Sequence, residues 1–212
     1  MPNGSSSAAL RRSLLAILLI VACATPPASS PGPDGARASP SPDWSAPVDF
    51  GHLRAAYGER ADFFQVCENG RSERTWFELV SNARWEDVLT LSRAWLSHCP
   101  VDIDAHLVTA FALTKLSREN EAEPHTRWFR GLVGSVLASG DGRTPETAWV
   151  VISVAEEYSV LRALRLDIKK QALVEHKIDA LTVESPSGTG TVYFDPAAHF
   201  RRLTRELGTV GR

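Results

Sequence analysis

Ser139-Gly140-Asp141-Gly142, with Thr147-Ala148-Trp149-Val150-Val151-Ile152-Ser153 close behind it, marks the point where the pattern of this chain changes. Before it, apolar residues recur at intervals of three and four over 76–81, 85–97, 103–116 and 122–137, the spacing of helices that bury one face. In the second of these, Trp85, Val88, Leu89, Ala94 and Leu96 form the inward stripe, with Arg84, Glu86, Asp87 and Arg93 outside. Pro100 and an N-cap at Asp102 mark the start of the next. After the glycine loop, the β-branched run over 147–153 reads as a short buried strand. Residues 154–164 return to helical spacing, with Tyr158, Leu161 and Leu164 inward. Strands are expected at 169–174, 178–184 and 190–194, the last two joined by a turn at 186–188, and a helix over 199–207 closes the fold. The expected class is α+β: a helical layer first, then a small, mainly antiparallel, meander-like sheet with one or two helices.

Working outward, the folded domain is expected over 48–207, with a helical half at 48–138, a strand-rich half at 139–207 and a flexible tail at 208–212. Roughly 160 residues suit one domain with a single core. Residues 24–47 are rich in Pro, Ser, Gly and Ala, with almost no large apolar side chains. They cannot bury enough surface to offset the entropy of ordering, and they read as a tether.

Ahead of the tether, Arg11-Arg12 precedes an apolar run over 14–22 that ends in Ile20-Val21-Ala22-Cys23. A run of roughly ten residues is too short for a membrane-spanning helix of roughly twenty, and it has the flanks of a cleaved signal. Ile20-Val21-Ala22-Cys23 resembles a bacterial lipobox. The resemblance implies export, removal of residues 1–22, a diacylglycerol on the Cys23 thiol and acylation of the new amino terminus. Three acyl chains would hold the protein on a bilayer far more firmly than one. Ala24 stands where aspartate would be the usual inner-membrane retention signal, so the resemblance points to the outer membrane, facing the periplasm or the cell surface. Arg11-Arg12-Ser13-Leu14-Leu15 also resembles a loose twin-arginine signal, although the apolar stretch favours the general secretory route.

Lys and Arg number 23 against 25 Asp and Glu, a net charge of −2, and no basic stripe is interleaved with aromatics. No nucleic-acid role is expected. With Cys23 lipidated, Cys67 and Cys99 remain as a disulfide candidate outside the cytoplasm, buried free thiols being the other reading. Closing a loop of some thirty residues would contribute roughly 3 to 4 kcal/mol on the chain-entropy model.

Arg84-Trp85-Glu86-Asp87 and Arg118-Glu119-Asn120-Glu121 lie thirty-four positions apart, each at a short turn between helices, with small residues Ala105, Ala110 and Ala112 between them. This resembles a degenerate tetratricopeptide repeat, which would imply a concave peptide-binding face. A helical layer that merely covers the sheet is the plainer alternative.

A second resemblance spans most of 48–207. It is carried by Asp49-Phe50 with Leu53-Arg54 and Tyr57, the Ser139-Gly140-Asp141-Gly142 loop with Thr144, Thr147-Ala148 and Val151-Ile152-Ser153, then Glu156-Glu157-Tyr158, Gln171 and Tyr193-Phe194. These residues resemble an uncharacterised bacterial family, domain of unknown function 4919. Asp195-Pro196 departs from the asparagine that usually follows Tyr-Phe there. The resemblance adds a family but no activity, and it brings no catalytic residues.

For chemistry, the Ser139-Gly140-Asp141-Gly142 loop could cradle an anion or present Asp141 to a metal, with Glu156 near it; it equally suits a helix stop that turns the chain into a strand. Neither a phosphate-binding Gly-x-x-x-x-Gly-Lys pattern nor a calcium loop is complete. Asp102 and His106 share a helix face at i,i+4, and His125 would join them in a metal or general-base site if the helices converge; capping by Asp102 and a satisfied or exposed His106 are the more ordinary reading. Glu156-Glu157 at a helix start suits the helix dipole better than an acid/base pair. No Gly-x-Ser-x-Gly elbow is present, and no catalytic residue, metal or cofactor is assigned. The expected function is that of a lipid-anchored envelope module binding an unidentified protein or peptide. The alternative is a small hydrolase or metal-dependent enzyme centred on the glycine loop.

Overall fold

Five helices form the first half: α1 (Phe50–Gly58), α2 (Glu73–Ser81), α3 (Trp85–Leu96), α4 (Ile103–Lys115) and α5 (Glu119–Leu137), with one π-helical turn, Phe64–Glu68, between the first two. The second half follows as β1 (Trp149–Val150), α6 (Val154–Ala163), β2 (Asp167–Val174), β3 (Ile178–Ser185), β4 (Gly188–Asp195) and α7 (Ala197–Val210). This computed structural model describes residues 42–210, with side chains through Arg205. The signal expected over 1–22, Cys23, the tether through residue 41 and the last two residues of the tail lie outside the described residues.

The class is α+β with the helices first. The sheet has the order β1-β4-β3-β2, a three-stranded antiparallel meander to which β1 adds in parallel through Trp149 opposite Phe194 and Val150 opposite Asp195. The strand expected over 147–153 contracts to two residues. A 3₁₀ turn at Pro145–Thr147 takes its start, and Ser153 leaves it to cap α6, its hydroxyl accepting the Glu156 N–H at 3.2 Å. Helix α1 was not among the expected helices; Asp49 caps it by accepting the His52 N–H at 3.0 Å.

The helical half is folded back on itself by two turns of one design. Ala83 and Ser117, thirty-four positions apart, both lie in the left-handed region, with φ of 53° and 56°. Behind each, a main-chain bond closes the helix end: Arg84 N–H to Leu79 O and Arg118 N–H to Leu113 O, both 2.9 Å. This is the Schellman arrangement, made here without glycine. Arg165 ends α6 in the same way, with Leu166 N–H on Leu161 O at 2.9 Å. Cys67 in the π-helical turn and Cys99 after α3 are joined, S–S 2.07 Å, tying the α1–α2 connection to the end of α3.

Helix α1 docks where side chains are missing opposite it. A Cβ on Gly131 of α5 would lie 2.2 Å from the Phe50 ring, and one on Gly58 would lie 2.7 Å from Ile152. The inward face of α1 also carries a charge. Arg54, 5% exposed, donates to Glu156 through Nε at 2.7 Å and Nη2 at 3.0 Å, to Ser135 Oγ of α5 at 3.1 Å and to the Val150 carbonyl of β1 at 2.8 Å. Glu156 also accepts the Ile152 N–H at 2.8 Å. One buried ion pair thus binds α1, α5, β1 and α6 together.

Removing either partner leaves a buried charge uncompensated, which typically costs about 3–5 kcal/mol. Arg54→Ala and Glu156→Gln are each expected to lower stability by that order, and the double variant by less than their sum, as read from urea-denaturation midpoints.

Candidate functional site

The helical half carries a ring-lined seat, built from its first layer outward. His106 of α4 is fully buried, and its Nε2–H donates to the Pro100 carbonyl at 2.9 Å. That bond leaves Nδ1 as an acceptor, and His125 of α5 fills it through its own Nδ1–H at 3.0 Å. Trp128, one turn further along α5, stacks on His106 with ring centres 5.1 Å apart and planes 23° from parallel. Burial, then the neighbouring His125, pushes the pKa of His106 down to about 3. Burial, then the charge of Arg93, pushes that of His125 down to about 4. Both rings are neutral at physiological pH.

The occupant of this seat is the chain itself. Trp44 lies in the stretch expected as tether, and its indole packs against His106 at 5.0 Å, His125 at 5.4 Å and Trp128 at 4.8 Å between ring centres. Its carbonyl accepts from the Trp128 indole N–H at 3.0 Å and from the Arg127 guanidinium. Arg127 also reaches the Ala46 carbonyl at 3.3 Å. The donors on α5 therefore address main-chain oxygens of a short segment with no regular structure. A cleft of about 410 Å³ continues from Trp44 along Arg93, Leu96, Leu113, Glu121, Pro124 and His125. The spacing of the sequence did not single out Arg127 and Trp128, and Trp44 was hidden in its Pro/Ser-rich surroundings, where a lone tryptophan is the signal that could have marked it.

The other expected site residues go elsewhere. Asp102 does not join the histidines. It caps α4 through the Ala105 N–H at 3.0 Å and accepts from Arg71 at 2.8 Å and the Trp95 indole at 2.9 Å. In the glycine loop, Ser139 Oγ accepts the Val150 N–H at 2.8 Å, and Asp141 accepts from the Arg143 N–H at 3.0 Å and the Thr147 hydroxyl at 2.5 Å. Gly140 and Gly142 admit no side chain: a Cβ would meet the Thr147 carbonyl at 2.3 Å and the Trp149 ring at 2.7 Å, and Gly142 has φ +67°. The Gly142 carbonyl takes the Tyr193 N–H of β4 at 3.0 Å, so the loop staples α5 to the sheet. Asp141 is spent in its own turn and Glu156 on Arg54, at separate places. Among the described residues, no group of three or more His, Cys, Asp or Glu is placed to hold a metal ion.

Two further features stand outside the expected set. Glu157 of α6 is fully buried against Asp179 of β3. Asp179 accepts from Gln171 at 3.1 Å, which in turn accepts the Tyr158 hydroxyl at 2.9 Å. Burial, then the charge of Asp179, pushes the Glu157 pKa up to about 9, and neither buried Glu157 carboxylate oxygen has a hydrogen-bond partner. Two carboxylates offer each other no donor, so their closeness is tolerable only while Glu157 holds its proton. The second is a cleft of about 650 Å³ between the 3₁₀ turn, the β2–β3 turn and α7, bordered by Glu146, Lys177, Asp195, Phe200 and Arg201.

These groups give opposite pH dependences. The histidine values are depressed in the fold, so the unfolded chain binds more protons below the ordinary value near 6.5. Stability should fall as pH drops from about 6.5 toward 4, at up to about 1.4 kcal/mol per pH unit for each ring, and His125→Gln should flatten the slope in urea titrations. The Glu157 value is raised, so its contribution is complete below the ordinary value near 4.5 and is lost as pH climbs toward 9. Glu157→Gln, which keeps a donor for Asp179, should melt higher than the parent at pH 9, with the advantage shrinking or reversing at pH 5.

Comparison with curated proteins and with solved structures gives no match. The model of one family, described as a domain of unknown function (DUF4919), matches residues 64–203, from the π-helical turn through the first half of α7. That span takes in α2 to α6, the whole sheet, the glycine stapling loop and the Glu157–Asp179 pair, and the chain belongs to the DUF4919 family.

Proposed function

We propose that this protein is an exported, lipid-anchored component of the bacterial cell envelope that works by binding a peptide or protein segment through its helical half. The observation that carries the reading is the seat on α4 and α5, where Arg127 and Trp128 hold main-chain carbonyls and three rings enclose one indole. Donors aimed at closely spaced backbone oxygens suit recognition of a main-chain turn, with the ring-lined pocket supplying side-chain selectivity. The location rests on Cys23 behind the apolar run over 14–22, and the Cys67–Cys99 bond agrees with an oxidising compartment. The hydrolytic alternative has less support, because Ser139 and Asp141 are committed to the stapling loop and Glu156 to Arg54.

The test is crosslinking in intact envelopes, with wild type compared against Cys23→Ser and Arg93→Glu. Wild type should fractionate with membranes and Cys23→Ser should not. A specific crosslinked species should be lost with Arg93→Glu, which alters the cleft wall on an exposed side chain. Identical fractionation of wild type and Cys23→Ser would defeat the anchor, and identical crosslinks in wild type and Arg93→Glu would defeat the binding face.

A further inference from the structure

We infer that the seat is a tryptophan-selective peptide site that the chain fills in cis, and that its partner is a segment carrying a tryptophan in the same kind of turn, which displaces Trp44. The inference rests on the binding reading above and names both the ligand chemistry and the regulation of that site.

The seat is organised without its occupant. His106 is held by the Pro100 carbonyl and by His125, and Trp128 lies flat on His106. None of these contacts passes through Trp44. The occupant, by contrast, belongs to a short turn, closed by Ala46 N–H on the Asp43 carbonyl at 3.3 Å and by the Asp43 carboxylate on the Ser45 N–H at 2.9 Å. Trp44 is only half-buried, and its segment is held to α5 by main-chain carbonyls that accept from two side chains, Arg127 and Trp128. A rigid receptor holding a locally structured segment is the arrangement in which the segment can leave while the receptor keeps its shape.

The chemistry of a competitor follows from what the occupant uses. The walls are two neutral imidazoles and an indole, meeting the Trp44 ring edge-on twice and tilted once. An aromatic of indole size fits them. A single nitrogen, Arg127 Nη2, takes both the Trp44 and the Ala46 carbonyls, which lie closer together than the roughly 6.5–7 Å between alternate carbonyls of an extended chain, so a competitor must form the same turn as residues 43–46. A longer segment would in addition meet the cleft wall at Arg93, Leu96, Leu113, Glu121 and Pro124. Because Trp44 is tethered beside its seat, its effective concentration is in the millimolar range, so only a segment with those additional contacts competes well.

The probe is a blocked synthetic peptide with the sequence of residues 41–48, Ser-Pro-Asp-Trp-Ser-Ala-Pro-Val, labelled for fluorescence anisotropy and added to the full chain. Trp44→Ala should bind it saturably, wild type should bind it at least about tenfold weaker, and a peptide with Trp replaced by Ala should bind neither. A Trp44→Ala protein that is folded by near-ultraviolet circular dichroism but does not bind overturns the inference, as does equal binding by both proteins. Should Trp44→Ala fail to fold, amide exchange of wild type decides the point. Ser45 and Ala46 are expected to exchange through local opening, and exchange only by global unfolding overturns the inference. A wild-type dimer that disappears in Trp44→Ala would also overturn it, placing the indole of a second copy in the seat. The peptide comes from this chain, so its binding is independent of any envelope partner. Peptide binding without an Arg93-dependent crosslink would leave the cis seat standing and remove the proposed function.

Discussion

The Arg54–Glu156 ion pair is the constraint on which the arrangement of the two halves depends. A guanidinium and a carboxylate taken out of water are tolerable only when nearly all their hydrogen-bonding capacity is met, and here each finds a further partner on another element. Ser135 lies on α5, Val150 on β1, and Ile152 at the link into α6. Shifting any one of these by a residue would strand a buried charge. The pair therefore acts less as a source of net stability than as a gauge of position: the helical layer and the sheet have one register in which both charges are satisfied.

The same principle operates a second time on the other side of α4. Asp102 and Asp104 at its start collect Arg71, the Trp95 indole, Ser159 and Arg162, so α3, α4, α6 and the segment before α2 meet at two carboxylates. The Glu157–Asp179 contact solves its burial differently, by keeping a proton instead of recruiting a cation. Three buried acid clusters thus lie along one helix and its neighbours, two neutralised by arginine and one by protonation. This is why a domain of modest size can place so much charge inside.

Much of this architecture was legible in the sequence because it rests on periodicity. Apolar residues at intervals of three and four mark α3, α4 and α5, although in α3 the buried residues are Val88, Leu89, Ser92, Trp95 and Leu96 and the expected Ala94 is exposed; the strand boundaries at β3 and β4 sit within one or two residues of where turn chemistry places them. Helix α1 escaped because its inward face is interrupted by Arg54, whose charge reads as solvent-facing until Glu156, 102 positions away, is known to meet it. The histidine convergence across α4 and α5 was legible as a possibility from repeat-like spacing. Asp102 takes the N-cap role that its place ahead of the helix marks, not a place with the histidines: its side chain turns back on its own helix start and there meets Arg71. The glycine loop was visible as a loop, but only its through-space bonds to Val150 and Tyr193 show that its polar groups are already used. Trp44 shows the limit of composition: a segment poor in apolar residues can still be fastened by one side chain if a prepared surface receives it.

That fastening also sets how a mechanical pull would travel through the molecule. Tension applied to the chain ahead of Pro42 reaches the Trp44 carbonyl bonds before it reaches any helix, and the next hold is the Asp49 cap of α1, with Arg54 one turn beyond it. The indole seat would give first and free the five residues that separate it from α1, which extend to at most roughly 15–20 Å. Because the rings beneath Trp44 hold one another, the seat would survive the pull empty and ready to be refilled, as a mechanical fuse that resets when the strain is gone.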